Sequence, residues 1–471
     1  MRTLSPLEGQ HISTNVRATM DVATGVITVY FSRDFLPREA EAEFEDQLDN
    51  FRHALIEASA PFIDATAVKY LFDRRDLFFH FPKLEREDAE ARKARSLRST
   101  ASGGGSGMAM VSAGHGYYRR LVKDIWTTQR EQTNGVIEDL ITPSYAEDLK
   151  FWMENRSQMP VHRPRSGSEA MHHSSKQPWW QMAGRYSLES QYPENPEIWN
   201  SLGAGSSDNH HYREDIRSRP LLANHQNADV AVHLHINAAA ASATGTRVIY
   251  QAGREQDRLL AENILCYMRE IITSVEAYEG FLVSQTPQAD NKGENRLATM
   301  PSVIVEAAFH TNPDDARALQ DPVFREASMK GVEKGYRLWR EGKGCNPLKV
   351  DPISTIRLAA GQSQAVDLTF DGFPQYPVVI ETKNVGCPPG WKCTDGAVTL
   401  PDADSKPAQI TLRCENAGSA PIIWDTRMID DGGVKSPQVR HIVQCLRGAG
   451  VVDSHAAHED DEGVATARKR S

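Results

Sequence analysis

From residue 108 to residue 339, short apolar or β-branched segments alternate with stretches long enough for a helix. This alternation restricts the fold more than any other feature of the chain. Met108-Ala-Met-Val111 leads into Gly114-His115-Gly116, and Val161–Arg165 marks a further strand end. Ala228–Asn237 is an alternating strand, and Gly245–Tyr250 and Pro301–Glu306 follow as two more. Between them, Gly135 opens a helical stretch that Pro143 is expected to break, with a second helix carrying Tyr145, Leu149 and Trp152. Arg254–Ala277 and Asp314–Trp339 supply later helices. Such alternation predicts an α/β domain, a mostly parallel sheet with helices on both faces. Open sheets of that kind collect ligands beyond the carboxyl ends of their strands. Glycine on both sides of His115 lets the backbone turn there and leaves room beside the ring. A histidine that merely occupies a turn reads the same way, so its weight depends on the other strand ends.

The flanks read differently. Gly25–Phe31, Val68–Phe72 and Leu77–Phe81 look like strands, and Phe44, Leu48, Phe51, Ala54 and Leu55 place a helix over Glu39–Glu57. Residues 1–97 are therefore expected to form a small accessory α/β module without a cluster of chemical groups. A Ser/Gly-rich linker covers 98–107. The central domain extends over 108–349 and contains a polar insertion, 166–215, too long for an ordinary connection. Short strands with turn signals between them fill 350–448 and predict an antiparallel β-sandwich. The charged end, 449–471, has no apolar periodicity and is expected to be a disordered tail.

Composition narrows the function. The formal net charge of −10 argues against nucleic acid as a partner, because phosphate binding needs a concentrated basic face. No apolar run is long enough for a membrane span, and the amino terminus of this sequence is not a signal peptide. Four of the six cysteines, Cys387, Cys393, Cys414 and Cys445, crowd into the last hundred or so residues. The preferred pairing is Cys387–Cys393 with Cys414–Cys445, which suits an oxidising compartment. Free buried thiols are the plain alternative, and a metal site is weaker because no Cys-x-x-Cys repeats.

Four groups in the central domain carry chemistry: His115, Glu138, His235 and Glu306. Two neutral imidazoles and a carboxylate complete three positions of a tetrahedral zinc site and leave the fourth open. A further carboxylate nearby can take a proton from water and return it to a leaving amine. For the carboxylate ligand, Glu131, Asp139 and Glu147 are alternatives to Glu138, since a glutamate near a helix start is also favoured by the dipole. His233 shares the strand face of His235.

Val111-Ser-Ala-Gly-His-Gly116, Ala228-Asp-Val-Ala-Val-His-Leu-His-Ile-Asn-Ala238 and Pro301-Ser-Val-Ile-Val-Glu-Ala-Ala-Phe-His-Thr-Asn-Pro313 together resemble the zinc-dependent N-acetylmuramoyl-L-alanine amidases. The resemblance covers roughly Met108 to Trp339. It implies a single Zn2+ on His115, Glu138 and His235, with Glu306 as general base and acid. The implied substrate is peptidoglycan, cut at the amide between N-acetylmuramic acid and L-alanine, in the periplasm, the cell envelope or outside the cell. Tyr117 stands where the family has another glycine, and His310 where it has an apolar residue. His233, His310, Tyr117, Trp179 and Trp180 are candidates for contact with substrate or ligands. Trp179 and Trp180 fit the insertion's own small core equally well. The sandwich would serve a protein or glycan partner. Competing readings are a zinc carboxypeptidase or other amidohydrolase acting on wall peptides, and a catalytically silent wall-binding protein.

Overall fold

The computed structural model describes residues 6–11, 16–59, 62, 65, 67–100 and 106–447. The expected tail, 449–471, and positions 101–105 of the expected linker lie outside the described residues. The chain divides into two compact units, one holding residues 1–347 with 433–435 and the other the remainder from 348 onward.

At the centre of the first unit is a six-stranded sheet. Its strands are β4 (Ala109–Ala113), β5 (Val161–His162), β6 (Val230–Asn237), β7 (Arg247–Gln251), β8 (Gln288–Asp290) and β9 (Ser302–Phe309), in the order β8-β7-β9-β6-β4-β5. All neighbours pair in parallel except β7 and β9, which are antiparallel, so the sheet is mixed. β4, β6 and β9 are buried along their whole length, which accounts for their continuous apolar character. The helices α3 (Glu138–Arg156), α4 (His210–His225), α5 (Glu255–Ile272), α6 (Pro313–Gln320) and α7 (Pro322–Arg340) pack around it. A disulfide, Cys266–Cys345, ties α5 to the segment after α7.

Two expectations need correction here. Pro143 does not break its helix: α3 is continuous from Glu138 to Arg156. Proline there forgoes one backbone bond, while Tyr145, Leu149 and Met153 all bury on one side, and packing outweighs that bond. Leu77–Phe81 is not a strand but a short helix, Leu77–His80, because Asp76 caps it by accepting from the Phe79 amide. The insertion 166–215 holds two short helices, Gly184–Gln191 and Pro196–Trp199, and its last residues form the first turns of α4.

The amino-terminal residues form a three-stranded sheet, β1 (Val16–Asp21), β2 (Val26–Phe31) and β3 (Ala67–Phe72), with α1 (Ala42–Ser59) and α2 (Pro82–Thr100). Its core is its own: Ile27, Val29, Phe31, Phe35, Phe44, Leu48 and Phe72. Its contact with the central sheet's surroundings includes a belt of ion pairs. Glu43 meets Arg213 at 3.0 Å, Glu45 meets Arg296 at 2.9 Å, Asp46 meets Arg130 at 3.0 Å, and Arg52 meets Asp290 at 2.9 Å. α2 adds Asp88 to Arg254 at 2.7 Å.

The second unit is β-rich. Five strands form its main sheet, in the order Ile356–Ala359, Val439–Leu446, Ile422–Asp430, Val378–Gly386, Gly396–Leu400. Ser363–Leu368 and Ala408–Arg413 form a separate antiparallel pair. The expectation of purely antiparallel pairing is corrected at one edge, where Ile356–Ala359 runs parallel to Val439–Leu446. A parallel neighbour needs a long crossover, and here nearly the whole unit lies between the two strands. Cys387–Cys393 and Cys414–Cys445 are both disulfides.

Candidate metal centre and active site

Three neighbouring parallel strands deliver three of the four groups singled out by the sequence. Glu306 on β9 stands directly opposite His235 on β6. Ala113, the last residue of β4, pairs with Leu234, so His115 emerges just beyond the strand end at the level of His235. The backbone at His115 turns through φ 59°, a left-handed conformation that non-glycine residues adopt at a cost. The glycines beside it are required by contact. A Cβ on Gly114 would lie 2.7 Å from His235 Nδ1, and one on Gly116 would lie 2.6 Å from the Ala183 nitrogen. Asp139 holds the following loop by accepting from the amides of Gly116, Gln129 and Arg130.

Glu138 opens α3 and completes the group. His115, Glu138 and His235 are all buried, and one donor atom from each lies within 4.8 Å of the others. Glu138 Oε1 is 2.9 Å from His235 Nδ1 and 3.4 Å from His115 Nε2. Donors about 2.0–2.1 Å from a tetrahedral ion stand about 3.3 Å apart, so two edges of the triangle already suit such an ion. Two imidazole nitrogens and one carboxylate oxygen are also the donor types zinc takes. The residues present therefore fit a metal ion.

The electrostatics agree with that fit. Burial, with nearby Arg130, keeps the His115 imidazole well below its ordinary pKa and hence neutral. Burial opposes charge on His235 as well, but the Glu294 and Glu138 carboxylates override it and raise this imidazole to about 10. Ligation of a metal by His235 Nδ1 would require that nitrogen to give up its proton. Burial raises the Glu306 carboxyl to about 8, although the His235 charge works against it, and Glu138 adds to the rise. Glu306 Oε2 is buried and makes no hydrogen bond within the protein.

Each imidazole is held from behind. His115 Nδ1 is 2.8 Å from Gln129 Oε1, and His235 Nε2 is 3.0 Å from Glu294 Oε2. Tyr212 stacks on His115 with ring centroids 6.3 Å apart. Glu294 was not anticipated from the sequence; it lies in a single short turn of helix, Gly293–Leu297, without any motif.

The remaining candidates fall around this group at different distances. His233 is fully buried behind it, 2.9 Å from Ser112 Oγ and 3.6 Å from Glu294. His310 lines the cavity that contains His115, Glu138, His235 and Glu306. Tyr117, Trp179 and Trp180 do not line it. Tyr117 and Trp179 back the layer formed by Tyr118, Met182, Tyr186 and Tyr212, and the Trp180 indole donates to Glu169. Glu131 lines the cavity mouth, and Glu147 pairs with Arg163 instead.

The cavity encloses about 310 Å³. Part of its wall comes from α1 through Ala42, Glu45, Asp46, Asp49 and Asn50, facing Lys292 and Glu306. The amino-terminal module, read from the sequence as lacking chemical groups, thus contributes acidic side chains to the cleft. Asp46 does so while accepting from Arg130 and from the Tyr212 hydroxyl, and Arg130 Nε is 3.6 Å from Glu138.

The model of the family described as N-acetylmuramoyl-L-alanine amidase matches residues 110–336, a little under half of the chain. That span holds His115, Glu138, His235, Glu294 and Glu306 and excludes α1. Among curated relatives, the germination-specific N-acetylmuramoyl-L-alanine amidase of Bacillus subtilis (strain 168) is 23% identical over 139 residues, 28% of this chain and 54% of that protein. An uncharacterized protein of the same organism, YqiI, is 27% identical over 134 residues, 28% of this chain and 60% of its own. The chain thus spans little more than half the length of these relatives. Among solved structures, the CwlD amidase of Clostridioides difficile, in complex with the GerS lipoprotein, aligns with a TM-score of 0.35 and 15% identity, over 50% of this chain and 100% of that one. The catalytic domain of the CwlV amidase of Bacillus (Paenibacillus) polymyxa var. colistinus aligns with a TM-score of 0.33 and 16% identity, over 50% and 99%.

Proposed function

We propose that this chain, whose residues 110–336 belong to the N-acetylmuramoyl-L-alanine amidase family, hydrolyses the amide between N-acetylmuramic acid and L-alanine in peptidoglycan. His115, Glu138 and His235 are the residues that would hold one zinc ion. When bound, zinc lowers the pKa of a water molecule towards 7 and polarises a carbonyl. The observation that carries the reading is the register of β9 on β6, which sets the buried Glu306 carboxyl, with one unpartnered oxygen, beside the three-donor group.

Glu306 is the general base and then the general acid. Its carboxylate takes the proton of the water that attacks the lactyl carbonyl. As the carbon–nitrogen bond breaks, it gives that proton to the departing alanine amine. A carboxyl raised by burial suits both halves, because its affinity for a proton lies nearer to neutrality than that of a solvated glutamate. His310, at the cavity wall, is placed to meet the substrate, whereas His233 supports the ligands from behind.

The wider assignments rest on the same reading. The six cysteines all lie in disulfides, which supports an oxidising location in the envelope or outside the cell. No helix among the described residues is long and apolar enough to cross a membrane. The carboxyl-terminal β-rich unit is the part proposed to engage a protein or glycan partner.

Digestion of purified peptidoglycan tests the reading, with products identified by mass and zinc measured in the same preparation. New amino termini at L-alanine are expected, and Glu306→Gln should lower their release by about 10²–10⁴-fold while zinc stays stoichiometric. New amino termini elsewhere would make the protein a wall peptidase. Wall binding without any release would make it a silent binder.

A further inference from the structure

Both imidazoles of the three-donor group are held on their outward nitrogens, and the two supports meet at one side chain. Glu294, which faces His235 Nε2, accepts at 2.6 Å from Arg219 Nη1. Arg219 Nη2 donates to Asp215, one helical turn earlier on α4. Asp215 Oδ2 also accepts from Gln129 Nε2 at 3.0 Å, and Gln129 Oε1 faces His115 Nδ1 at 2.8 Å. Arg219 and Asp215 are completely buried, and the Arg185 amide gives Asp215 a further donor at 3.2 Å.

We propose that Arg219 is a positioning residue for the metal centre: through Glu294 on one side, and Asp215 and Gln129 on the other, it sets both histidine ligands at once. The inference rests on the metal-centre reading above. Donor and acceptor roles decide the matter. An ionised carboxylate only accepts, so Asp215 obliges Gln129 to turn its NH2 towards it and leave its carbonyl oxygen for His115. That oxygen also only accepts, so the proton of a neutral His115 sits on Nδ1 and the lone pair on Nε2. On the other arm, Glu294 accepts from Arg219 and obliges His235 to carry a proton on Nε2, so that Nδ1 is the nitrogen that would give up its proton to ligate a metal. Those two inward nitrogens, Nε2 of His115 and Nδ1 of His235, are the ones that converge on Glu138 Oε1, at 3.4 Å and 2.9 Å. With both nitrogens in these roles, the 3.3 Å approach of Arg219 Nη1 to His235 Nε2 is a contact between two donors. Its own two carboxylates hold the guanidinium there.

A guanidinium is required because its two terminal nitrogens reach two separate carboxylates in one rigid plane, which a lysine ammonium on a flexible stem cannot reproduce. Without it, Asp215 and Glu294 would be two buried carboxylates lacking their shared counter-charge. Neither would be held in its present orientation, and the support of its histidine would no longer be imposed.

The test is metal affinity of the full chain, by competition with a chelator, together with the visible spectrum of the cobalt-loaded protein. Arg219→Lys is expected to weaken zinc binding by about 10–100-fold and to change the cobalt bands. Gln129→Ala sits at a half-buried position and should weaken binding with little change in melting temperature. Because Arg219 is buried, a pair of milder changes covers the case in which its variants fail to fold. Gln129→Ala and Glu294→Gln, alone and together, should give fold-losses whose product differs from the double-variant loss by more than about threefold, since their supports share Arg219. Independent losses in that cycle would overturn the proposal. So would a folded Arg219→Lys protein with affinity within twofold of the parent and an unchanged cobalt spectrum. A parent chain that binds no zinc would overturn the metal-centre reading itself, and this proposal with it.

Discussion

Adding one methyl group to Gly114 separates the metal centre from the stability of the fold. Gly114 is not in a left-handed conformation, so an alanine there meets no backbone penalty. The whole effect comes from what its Cβ touches: His235 Nδ1 at 2.7 Å, His235 Cε1 at 2.8 Å and the Leu234 carbonyl oxygen at 2.9 Å. Ordinary contact begins near 3.4 Å, so the imidazole must retreat by about 0.7 Å. It has nowhere to go without loss, because Glu294 holds its far nitrogen at 3.0 Å. A coordinate bond tolerates about 0.2 Å, so this shift removes Nδ1 as a ligand. The expected loss of zinc affinity exceeds the roughly 100-fold attributed to disturbed outer contacts. The cost to folding is that of modest overpacking, about 1–3 kcal/mol. Chelator competition and thermal melting on the same preparation measure both numbers. Gly116→Ala is the control. Its Cβ would strike backbone at Ala183, and its φ of 136° disfavours any side chain. It should therefore cost more stability than Gly114→Ala. A Gly114→Ala protein that binds zinc as tightly as the parent would refute the placement of His235 against this turn.

Further expectations concern the surroundings. Asp49 on α1 is buried, which alone would raise its carboxyl, but Lys292, His53 and Arg52 hold it well below the usual range. Its folded pKa is thus depressed, so its stabilisation is fully present above about pH 4 and is lost progressively as pH falls from there through the lower folded value. The melting-temperature gap between the parent and Asp49→Asn should accordingly be widest above about pH 4 and narrow progressively as pH falls below it. Replacing Cys266 and Cys345 together by alanine opens a cross-link between residues 79 apart in sequence and should cost about 4 kcal/mol in denaturant unfolding of the first unit. Asp46→Asn removes the carboxylate that Arg130 shares with Tyr212, leaving Glu138 as the nearby carboxylate at 3.6 Å from Arg130 Nε. Competition of that guanidinium for Glu138 should weaken zinc binding, and an unchanged zinc affinity would show that α1 has no hold on the centre.

Local sequence determines a good deal of this protein. Strand and helix periodicity marks β4, β6 and β9 because each is short, continuous and buried on both faces, so nearly every residue is apolar except those that carry chemistry. His235 and Glu306 stand out for that reason, since a polar group inside such a strand needs a purpose or a partner, and His115 stands out between two glycines just past the end of β4. The disulfides Cys387–Cys393 and Cys414–Cys445 were likewise legible as neighbours in a small β-rich segment. Tertiary structure alone decided the rest. Glu294, Arg219, Asp215 and Gln129 are isolated polar residues with no shared spacing, and only the packing of α4 against the sheet brings them into one hydrogen-bonded chain. Cys266 finds Cys345 across most of a domain, and the acids of α1 reach the cleft from a segment that looks like an ordinary amphipathic helix. The physical reason is common to these cases. Periodicity is imposed by a residue's own element, whereas an ion pair, a tautomer or a disulfide is imposed by a partner whose position depends on the folded chain between them.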